Sequence, residues 1–332
     1  MITALLLTQT PSLEAQIDAL IRDNKVPGIA VVVRKKGKNI VRIAKGYANL
    51  ETSTKMSLDS VHELASVSKQ FTATAAMRLV EMGKLSLDAP LSQFVDEAPE
   101  SWQRVKVQHL LEHTNGLPDY LSPDLDLGVN TSLSSLIRGI KGKPLLFEPG
   151  SKWAYSNSGY MVLGHVIERA SGQSFTAILN SEVISKAGMK SACVANPTQI
   201  LPNRAYGYSK SGGGWKNEMY VSSVLSACGD GMMMSSANDL LAWHNALVKG
   251  QILSNASWQK MWTPTPQSQG RYGFGFGVER AGAKPRLLHS GAWVGTGTFL
   301  MSDIETDSAI IILVNCDQPP IKDLIEAAYA KL

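Results

Sequence analysis

The sequence predicts an α/β fold in which one antiparallel sheet is built from both chain ends and flanked by helices, with a mainly helical region inserted between them. Three observations support this fold class. Strand-like apolar runs cluster near residues 29–44 and 272–314. Helical periodicity dominates the residues between them. A chain of 332 residues, 44% hydrophobic and 18% charged, also has enough apolar material for a large core.

The N-terminal elements are predicted to be a helix and a β-hairpin. Ser12 can cap a helix whose apolar residues share one face, namely Leu13, Ile17, Leu20 and Ile21. Pro27-Gly28 ends this helix. Two apolar runs, 29–33 and 40–44, then follow as strands on either side of a turn at Gly37.

The remaining elements divide between the middle and the C-terminal end of the chain. In the middle, a helix over 67–82 ends at Gly83, and further helices are predicted over 107–113, 132–140, 160–170, 175–185 and 237–248. At the C-terminal end, strands are predicted over 272–278, 286–289, 296–301 and 309–314, followed by a helix over 321–332. We expect a functional cleft between the two parts.

The predicted domain organisation is a leader-like tail over 1–11 and one domain over 12–332. Within that domain, the α/β part comprises approximately 12–60 and 250–332, and the helical region approximately 61–249. The short apolar stretch from Ile2 to Leu7 lacks a basic segment before it, so it is a poor signal peptide as written. The compartment therefore stays open.

Composition argues against several functional classes. The net charge is +4, and the 32 Lys and Arg residues are spread along the chain, which is typical of a mixed surface rather than of a nucleic-acid binder. Three widely spaced cysteines, Cys193, Cys228 and Cys316, favour neither a disulfide framework nor a zinc site. No apolar run approaches the ~18 residues of a membrane span.

The first candidate motif is the S-V-S-K stretch at 66–69. Ser66 is predicted at the start of a helix, and Lys69 lies on the same face, so its amine can approach the Ser66 hydroxyl. The helix N-terminus adds partial positive charge beside that oxygen. A serine becomes a nucleophile when a base takes its proton. A second S-x-x-K, at 257–260, is interpreted as helix surface.

The second candidate motif is Y-S-N at 155–157. A phenol is a poor base by itself, with a pKa of ~10. An adjacent Lys69 ammonium should lower the pKa of Tyr155, so that the two groups can shuttle a proton together. The Asn157 amide can hydrogen-bond a substrate carbonyl or amide. A second match, Y-A-N at 47–49, lies at the end of a predicted strand and is interpreted as a chance match.

The third candidate motif is H-S-G at 289–291, directly after a predicted strand. His289, Ser290 and Gly291 are candidate substrate-binding residues, because a strand edge can present backbone donors to a bound acyl group. Gly291 lacks a side chain that would block this approach. The similar K-S-G at 210–212 opens a glycine run and is interpreted as a flexible turn.

In order and context, the three motifs resemble the signatures of the serine β-lactamase and penicillin-binding-protein superfamily. More narrowly, they resemble the branch that holds class C β-lactamases, serine DD-peptidases, D-aminopeptidases and related carboxylesterases. Connecting stretches are similar too, including L-L-E-H-T-N-G-L-P at 110–118, F-E-P-G at 147–150 and D-G-M-M-M-S-S-A-N-D-L at 230–240. The resemblance runs from about Pro27 to Asn315.

The resemblance implies an α/β sandwich plus an all-α region, with no metal and no cofactor. It makes Ser66 the nucleophile, Lys69 its charge partner, and Tyr155 the general base and then the general acid. The oxyanion hole would be formed by the backbone amides of Ser66 and Ala292. Losing such donors typically costs ~10²–10³ in rate. The resemblance also favours a periplasmic or extracellular location.

Departures from the family pattern bear on the substrate. Class A enzymes carry S-D-N and a deacylating Glu, and no S-D-N occurs in this sequence. His289 stands where most class C β-lactamases have the Lys of K-T-G. A histidine is only partly charged near pH 7, so it should grip a carboxylate less firmly than lysine. We therefore expect a DD-peptidase-like hydrolase acting on a small molecule or peptide with a scissile amide or ester. The oligomeric state stays open.

Several alternatives remain. One is a carboxylesterase of the same fold with weak β-lactamase activity, and another is a sensor that is acylated without turnover. His109 and His113 stand at i, i+4, but the order is not H-E-x-x-H, so helix-end packing and capping are preferred over zinc binding. No P-loop or dinucleotide motif occurs, and G-F-G-F-G at 273–277 is predicted as strand. The G-x-S-x-G elbow of α/β-hydrolases is also absent.

Overall fold

A computed structural model describes residues 11–121, 132–196, 198–218, 229–280 and 282–332. Nearly all of the predicted leader-like tail, together with Cys228, lies outside these residues. The helices in chain order are α1 (Leu13–Arg22), α2 (Lys69–Glu81), α3 (Val107–Leu111), α4 (Leu133–Lys141), α5 (Asn157–Ser171), α6 (Phe175–Leu179), α7 (Ala237–Val248), α8 (Asn255–Trp262) and α9 (Ile321–Tyr329). The strands are β1 (Gly28–Lys35), β2 (Lys38–Asn49), β3 (Thr54–Lys55), β4 (His62–Glu63), β5 (Cys193–Val194), β6 (Tyr208–Ser211), β7 (Gly214–Asn217), β8 (Met233–Ser235), β9 (Gly277–Arg280), β10 (Pro285–Trp293), β11 (Thr296–Asp303) and β12 (Ser308–Val314).

The main sheet joins the two ends of the chain, as predicted. Its strand order is β3-β2-β1-β12-β11-β10-β9. The N-terminal β1 pairs antiparallel with the C-terminal β12, in a register that places Val31 opposite Ile312. The fold-class prediction of one antiparallel sheet flanked by helices is therefore confirmed.

The central strands are buried on both faces, which explains their continuous apolar runs. Side chains alternate between the faces of a strand. In β1, Val31 and Val33 pack in a cluster with α1 and α9, whereas Ala30 and Val32 join the larger cluster that contains the helical region. Ser12 caps α1 by accepting a hydrogen bond from the Ala15 backbone N–H, as expected.

The second layer combines helices with small sheets. α2 packs against α5, and α7 packs against β12, β1 and β11. A three-stranded sheet, β4-β8-β5, and the hairpin β6-β7 also lie within the span predicted as mainly helical. The approximate division of the domain into two parts stays a prediction.

The predicted strand over 272–278 is wrong for most of its length, because only its last two residues belong to β9. The physical reason is close packing on α2. Gly275 has φ +76, and a Cβ there would lie 2.6 Å from the carbonyl oxygen of Lys69. The G-F-G-F-G stretch therefore forms a tight turn against α2 instead of an extended strand.

Candidate active site

Ser66 lies in a 3-10 turn, Ala65–Ser68, that leads directly into α2. The backbone of Met233 in β8 makes two hydrogen bonds with this segment. The Leu64 N–H donates to the Met233 carbonyl at 2.8 Å, and the Met233 N–H donates to the Ser68 hydroxyl at 2.9 Å. Ala65 has φ +46, an uncommon backbone conformation for a residue with a side chain. The turn is therefore fixed by tertiary contacts rather than by local preference.

The fully buried Lys69 connects two of the motifs. Its Nζ lies 3.3 Å from Ser66 Oγ, 3.0 Å from Asn157 Oδ1 and 2.7 Å from the backbone oxygen of Asp230. An ammonium group has three donors. These three acceptors therefore fix the position of the amine beside the Ser66 hydroxyl.

The charge of Lys69 depends on its burial. Desolvation lowers the pKa of Lys69 to about 8, although Asp230 and Asp119 oppose that shift. The Asp230 carboxyl is itself buried and accepts a hydrogen bond from the Tyr120 hydroxyl at 2.8 Å. Burial raises the pKa of Asp230, whereas the charge of Lys69 and the hydrogen bond from Tyr120 lower it. With a pKa of about 8, roughly a tenth of Lys69 is uncharged at pH 7, and the uncharged fraction rises as the pH increases.

Tyr155 approaches Ser66 from the second motif. The Tyr155 hydroxyl acts electrostatically on the Ser66 side chain, and the Tyr155 ring centroid lies 4.9 Å from Lys69 Nζ. The expectation that its pKa would fall is wrong. Desolvation of the hydroxyl raises the pKa of Tyr155 and outweighs the opposing effect of Ser66, although the residue as a whole is 40% exposed. Tyr155 therefore stays a neutral phenol at physiological pH, able to donate a proton but a weak base.

His113 is a site residue that sequence reasoning left without a role. Its ring stacks on Tyr155 with centroids 4.4 Å apart, and its Nδ1 accepts a hydrogen bond from the Ser156 N–H at 3.0 Å. Burial holds the pKa of His113 well below its usual range. The L-L-E-H-T-N-G-L-P stretch is the sequence feature that points to His113. The role of His113 depends on its packing against Tyr155, which the sequence does not show.

The zinc alternative finds no support among the described residues, where no group of three or more His, Cys, Asp and Glu side chains is arranged to hold a metal ion. His109 instead accepts a hydrogen bond from the Lys106 N–H at the start of α3. This is the capping role that the sequence favoured for a helix-end histidine.

His289 differs from expectation in its charge. The ring is 7% exposed, and burial lowers the pKa of His289 to about 4, with a further contribution from Lys69. Its Nδ1 lies 2.6 Å from the Ser290 carbonyl oxygen, and its Nε2 lies 2.9 Å from the Tyr272 hydroxyl. His289 is thus neutral, rather than partly charged, at pH 7.

Gly291 has a different physical role from the one predicted. A Cβ at this position would lie 2.2 Å from the Leu64 carbonyl oxygen and 2.4 Å from Thr298 Oγ1. The Thr298 hydroxyl also donates to the Leu64 carbonyl at 2.8 Å. Gly291 therefore lets β10 pack directly against the residue before the Ser66 turn, so the motif joins the sheet to the nucleophile.

We expect Gly291→Ala to destabilise the protein by about 1–3 kcal/mol, because the added methyl meets backbone that is already hydrogen-bonded. The free energy of unfolding in urea measures this effect. Gly139→Ala in α4 is the matched control, since a Cβ there meets no atom within 4 Å. Equal stability of the two variants would contradict the packing argument.

The described residues around Ser66 form a cleft of about 150 Å³. Ser66 and Asn157 line it from the helical side, and Ala292 and Trp293 line it from β10. β9 pairs with β10 only as far as Leu288, so past this residue no described strand pairs with that edge of β10. The backbone there can face a ligand. The Ser290 side chain is exposed on this part of the strand.

The duplicate motifs lie elsewhere in the fold. Ser257 lies in α8, where its hydroxyl bonds with the capping Ser254, and Lys260 is exposed. Tyr47 lies in β2 beneath the Lys55 ammonium. In the K-S-G stretch at 210–212, Lys210 and Ser211 end β6 and pair with β7, and only Gly212 lies in the predicted turn. The structure thus brings together the S-V-S-K, Y-S-N and H-S-G stretches and separates the duplicates from them.

Comparison with known proteins gives consistent relatives. Penicillin-binding protein 4* of Bacillus subtilis (strain 168) is 30% identical over 312 residues, covering 87% of this chain and 68% of that protein. Esterase EstB of Burkholderia gladioli is 35% identical over 196 residues, covering 54% of this chain and 50% of that protein. This chain therefore spans between half and about two thirds of these curated relatives.

The fold has close counterparts among solved structures. The penicillin binding protein from Bacillus halodurans superposes with a TM-score of 0.84 at 26% identity, over 95% of this chain and 99% of that one. Separately, no helix within the described part of the chain has the length and apolar character needed to cross a bilayer.

The family assignment follows from the extent of these matches. The profile of the Beta-lactamase family matches residues 13–332. This span includes the three motifs that the fold brings together near Ser66, as well as both halves of the sheet. The chain belongs to the Beta-lactamase family, within the superfamily of serine β-lactamases and penicillin-binding proteins.

Proposed function

We propose that this chain is a serine hydrolase that cleaves amide or ester substrates through an acyl-enzyme on Ser66, in the manner of a penicillin-binding protein or DD-peptidase. The observation that carries the proposal is the convergence of two groups on one hydroxyl. The Lys69 amine lies 3.3 Å from Ser66 Oγ, and the Tyr155 hydroxyl interacts electrostatically with the same side chain. Family membership supports this reading.

The electrostatics suggest how the proton moves. A general base works best when its pKa lies near the working pH. The pKa of Lys69, lowered to about 8, meets this condition, whereas the raised pKa of Tyr155 does not. We therefore assign the first proton transfer to neutral Lys69 rather than to Tyr155, which the family resemblance had favoured as the base.

In acylation, Ser66 Oγ bonds to the substrate carbonyl carbon as its proton passes to Lys69. The carbonyl electron pair moves to the oxygen, where the Ser66 and Ala292 amides are proposed to bind it. The oxyanion then collapses, the bond to the leaving group breaks, and that group takes a proton from Tyr155, which Lys69 replaces. Water attacks the ester carbonyl in the reverse sequence and releases the acid.

This assignment predicts a pH dependence. Only uncharged Lys69 can accept the proton, and its fraction increases as the pH rises through its pKa of about 8. We expect kcat/KM for an uncharged p-nitrophenyl ester to rise with pH and to level off above that value. Initial rates between pH 6 and 10 measure it, and the labelling rate of Ser66 should follow the same curve. A flat or falling profile would remove Lys69 as the base.

The proposed site can be located with a fluorophosphonate or penicillin probe followed by peptide mass spectrometry. We expect the label on Ser66. Label on Ser257 would overturn the assignment. A penicillin adduct that persists on Ser66, together with negligible hydrolysis of any ester or peptide, would instead favour the sensor alternative.

A carboxylesterase is the second candidate function, and the similarity to Esterase EstB favours it. The same proton transfers serve an ester, so the two candidates differ in their substrate rather than in their machinery. Hydrolysis of p-nitrophenyl esters without cleavage of a D-alanyl-D-alanine peptide would select the esterase, and efficient peptide cleavage would select the DD-peptidase.

A further inference from the structure

The ring of His289 has no free hydrogen-bonding position. A neutral imidazole has one donor and one acceptor nitrogen. Nδ1 lies 2.6 Å from the Ser290 carbonyl oxygen, which can only accept, so Nδ1 carries the hydrogen. Nε2 is then the acceptor, and the Tyr272 hydroxyl donates to it at 2.9 Å. Both contacts are internal to the protein, so the imidazole offers nothing to a substrate.

The surroundings of His289 oppose a positive charge on it. His289 and Tyr272 are 7% and 8% exposed, and the rings of Tyr155 and Tyr272 lie 6.2 Å and 5.8 Å from the imidazole. Lys69 is the cation that acts on it electrostatically, and it disfavours a second positive charge nearby. The low pKa of His289 agrees with this geometry.

Within the described part of the chain, no residue on the cleft wall supplies the positive charge that His289 lacks. Among the described residues that line the cleft, the charged one is Asp230, an acid. The Lys69 amine already donates to three acceptors within the protein.

From this arrangement we infer that the enzyme prefers substrates whose leaving group has no carboxylate, which favours the esterase candidate over the DD-peptidase, and that Tyr272 enforces this preference by occupying the acceptor nitrogen of His289. The inference rests on the proposed acyl-enzyme function and specifies its substrate class. A carboxylate entering this cleft would be desolvated beside neutral or acidic groups, without a charged donor to compensate it. Simple esters and amides without a terminal acid avoid that cost.

Two thioesters that differ in one group test the inference. N-acetyl-D-alanyl-thioglycolate carries the carboxylate, its carboxamide does not, and thiol release measures both reactions at pH 7. We expect kcat/KM to be about tenfold or more higher for the carboxamide, the loss typical of a missing hydrogen bond to a charged group. Equal rates, or faster release from the carboxylate, would overturn the inference and leave the proposed function intact.

The same assay tests the proposed acyl-enzyme function through a different result. Thiol release from neither compound, or release that persists in Ser66→Ala, would overturn the acyl-enzyme proposal and the inference with it. Release that requires Ser66 supports the acyl-enzyme, and the ratio of the two rates then decides the substrate class.

Tyr272 is a positioning residue in this scheme, and Tyr272→Phe tests that role. Without the phenol, His289 Nε2 is free to take a proton and meet a carboxylate, so the rate ratio should shift towards the carboxylate substrate by about three- to tenfold. General damage to the site would lower both rates and leave the ratio unchanged. Tyr160→Phe is the matched control. It also removes a buried tyrosine hydroxyl, but that hydroxyl donates to the Leu111 carbonyl rather than to His289. An unchanged ratio in Tyr272→Phe would overturn the assigned role.

Discussion

Replacing Ser66 with alanine is expected to lower kcat for ester or thioester hydrolysis by roughly 10⁴-fold or more, because the variant cannot form the acyl-enzyme. Covalent labelling by a fluorophosphonate or penicillin should disappear as well. The surrounding turn should remain folded, since it is held by the backbone of Leu64 and the hydroxyl of Ser68 through Met233. Steady-state kinetics and intact-protein mass spectrometry measure the two effects.

The chain provides a matched control for this substitution. Ser257 belongs to a second S-x-x-K stretch, but it lies on α8 and bonds to Ser254. We expect Ser257→Ala to keep wild-type turnover and labelling. A Ser66→Ala variant that retains most of its activity, or a Ser257→Ala variant that loses it, would refute the proposed nucleophile.

Tyr155→Phe is expected to lower kcat by ~10²–10⁴, the usual range for a lost acid–base group. Phenylalanine keeps the ring that stacks on His113 at 4.4 Å and removes only the hydroxyl that interacts with Ser66. The loss should be larger for amides than for p-nitrophenyl esters, because an amine must be protonated as it leaves, whereas a nitrophenolate leaves readily.

Tyr47→Phe is the control for this second prediction, because Tyr47 begins the similar Y-A-N stretch and lies in β2 beneath Lys55. It should leave the kinetics unchanged. Wild-type amide turnover in Tyr155→Phe would remove the phenol from the mechanism. Comparable free energies of unfolding for both variants would assign the kinetic loss to chemistry rather than to folding.

The architecture was predictable to the extent that local pattern decides it. Apolar alternation and runs located the strands β1, β10, β11 and β12, and the helix α7 matches its predicted bounds of 237–248. The G-F-G-F-G stretch shows where pattern fails. Its residues alternate like a strand, but Gly275 lies against the Lys69 carbonyl in a conformation with positive φ. A contact with a segment distant in sequence overrode the local preference.

In the candidate site too, the sequence predicts some features and tertiary contacts decide the others. The sequence named Ser66, Lys69 and Tyr155, and the structure brings these side chains to one cleft. The roles of His113 and Tyr272 depend on which ring each one touches, and neither contact can be read from spacing. Lys69, for example, bonds to Asn157 and Asp230, which are 88 and 161 positions away.

The sequence alone determined the family resemblance, the kind of sheet and the residues with the right chemistry, because these follow from side-chain identity and short-range periodicity. Only the tertiary structure decided the charge states, with Lys69 shifted to a pKa of about 8 and His289 held neutral. The physical reason is desolvation. The cost of a charge depends on how deeply its group is buried and on the partners it meets there, and chain folding fixes both.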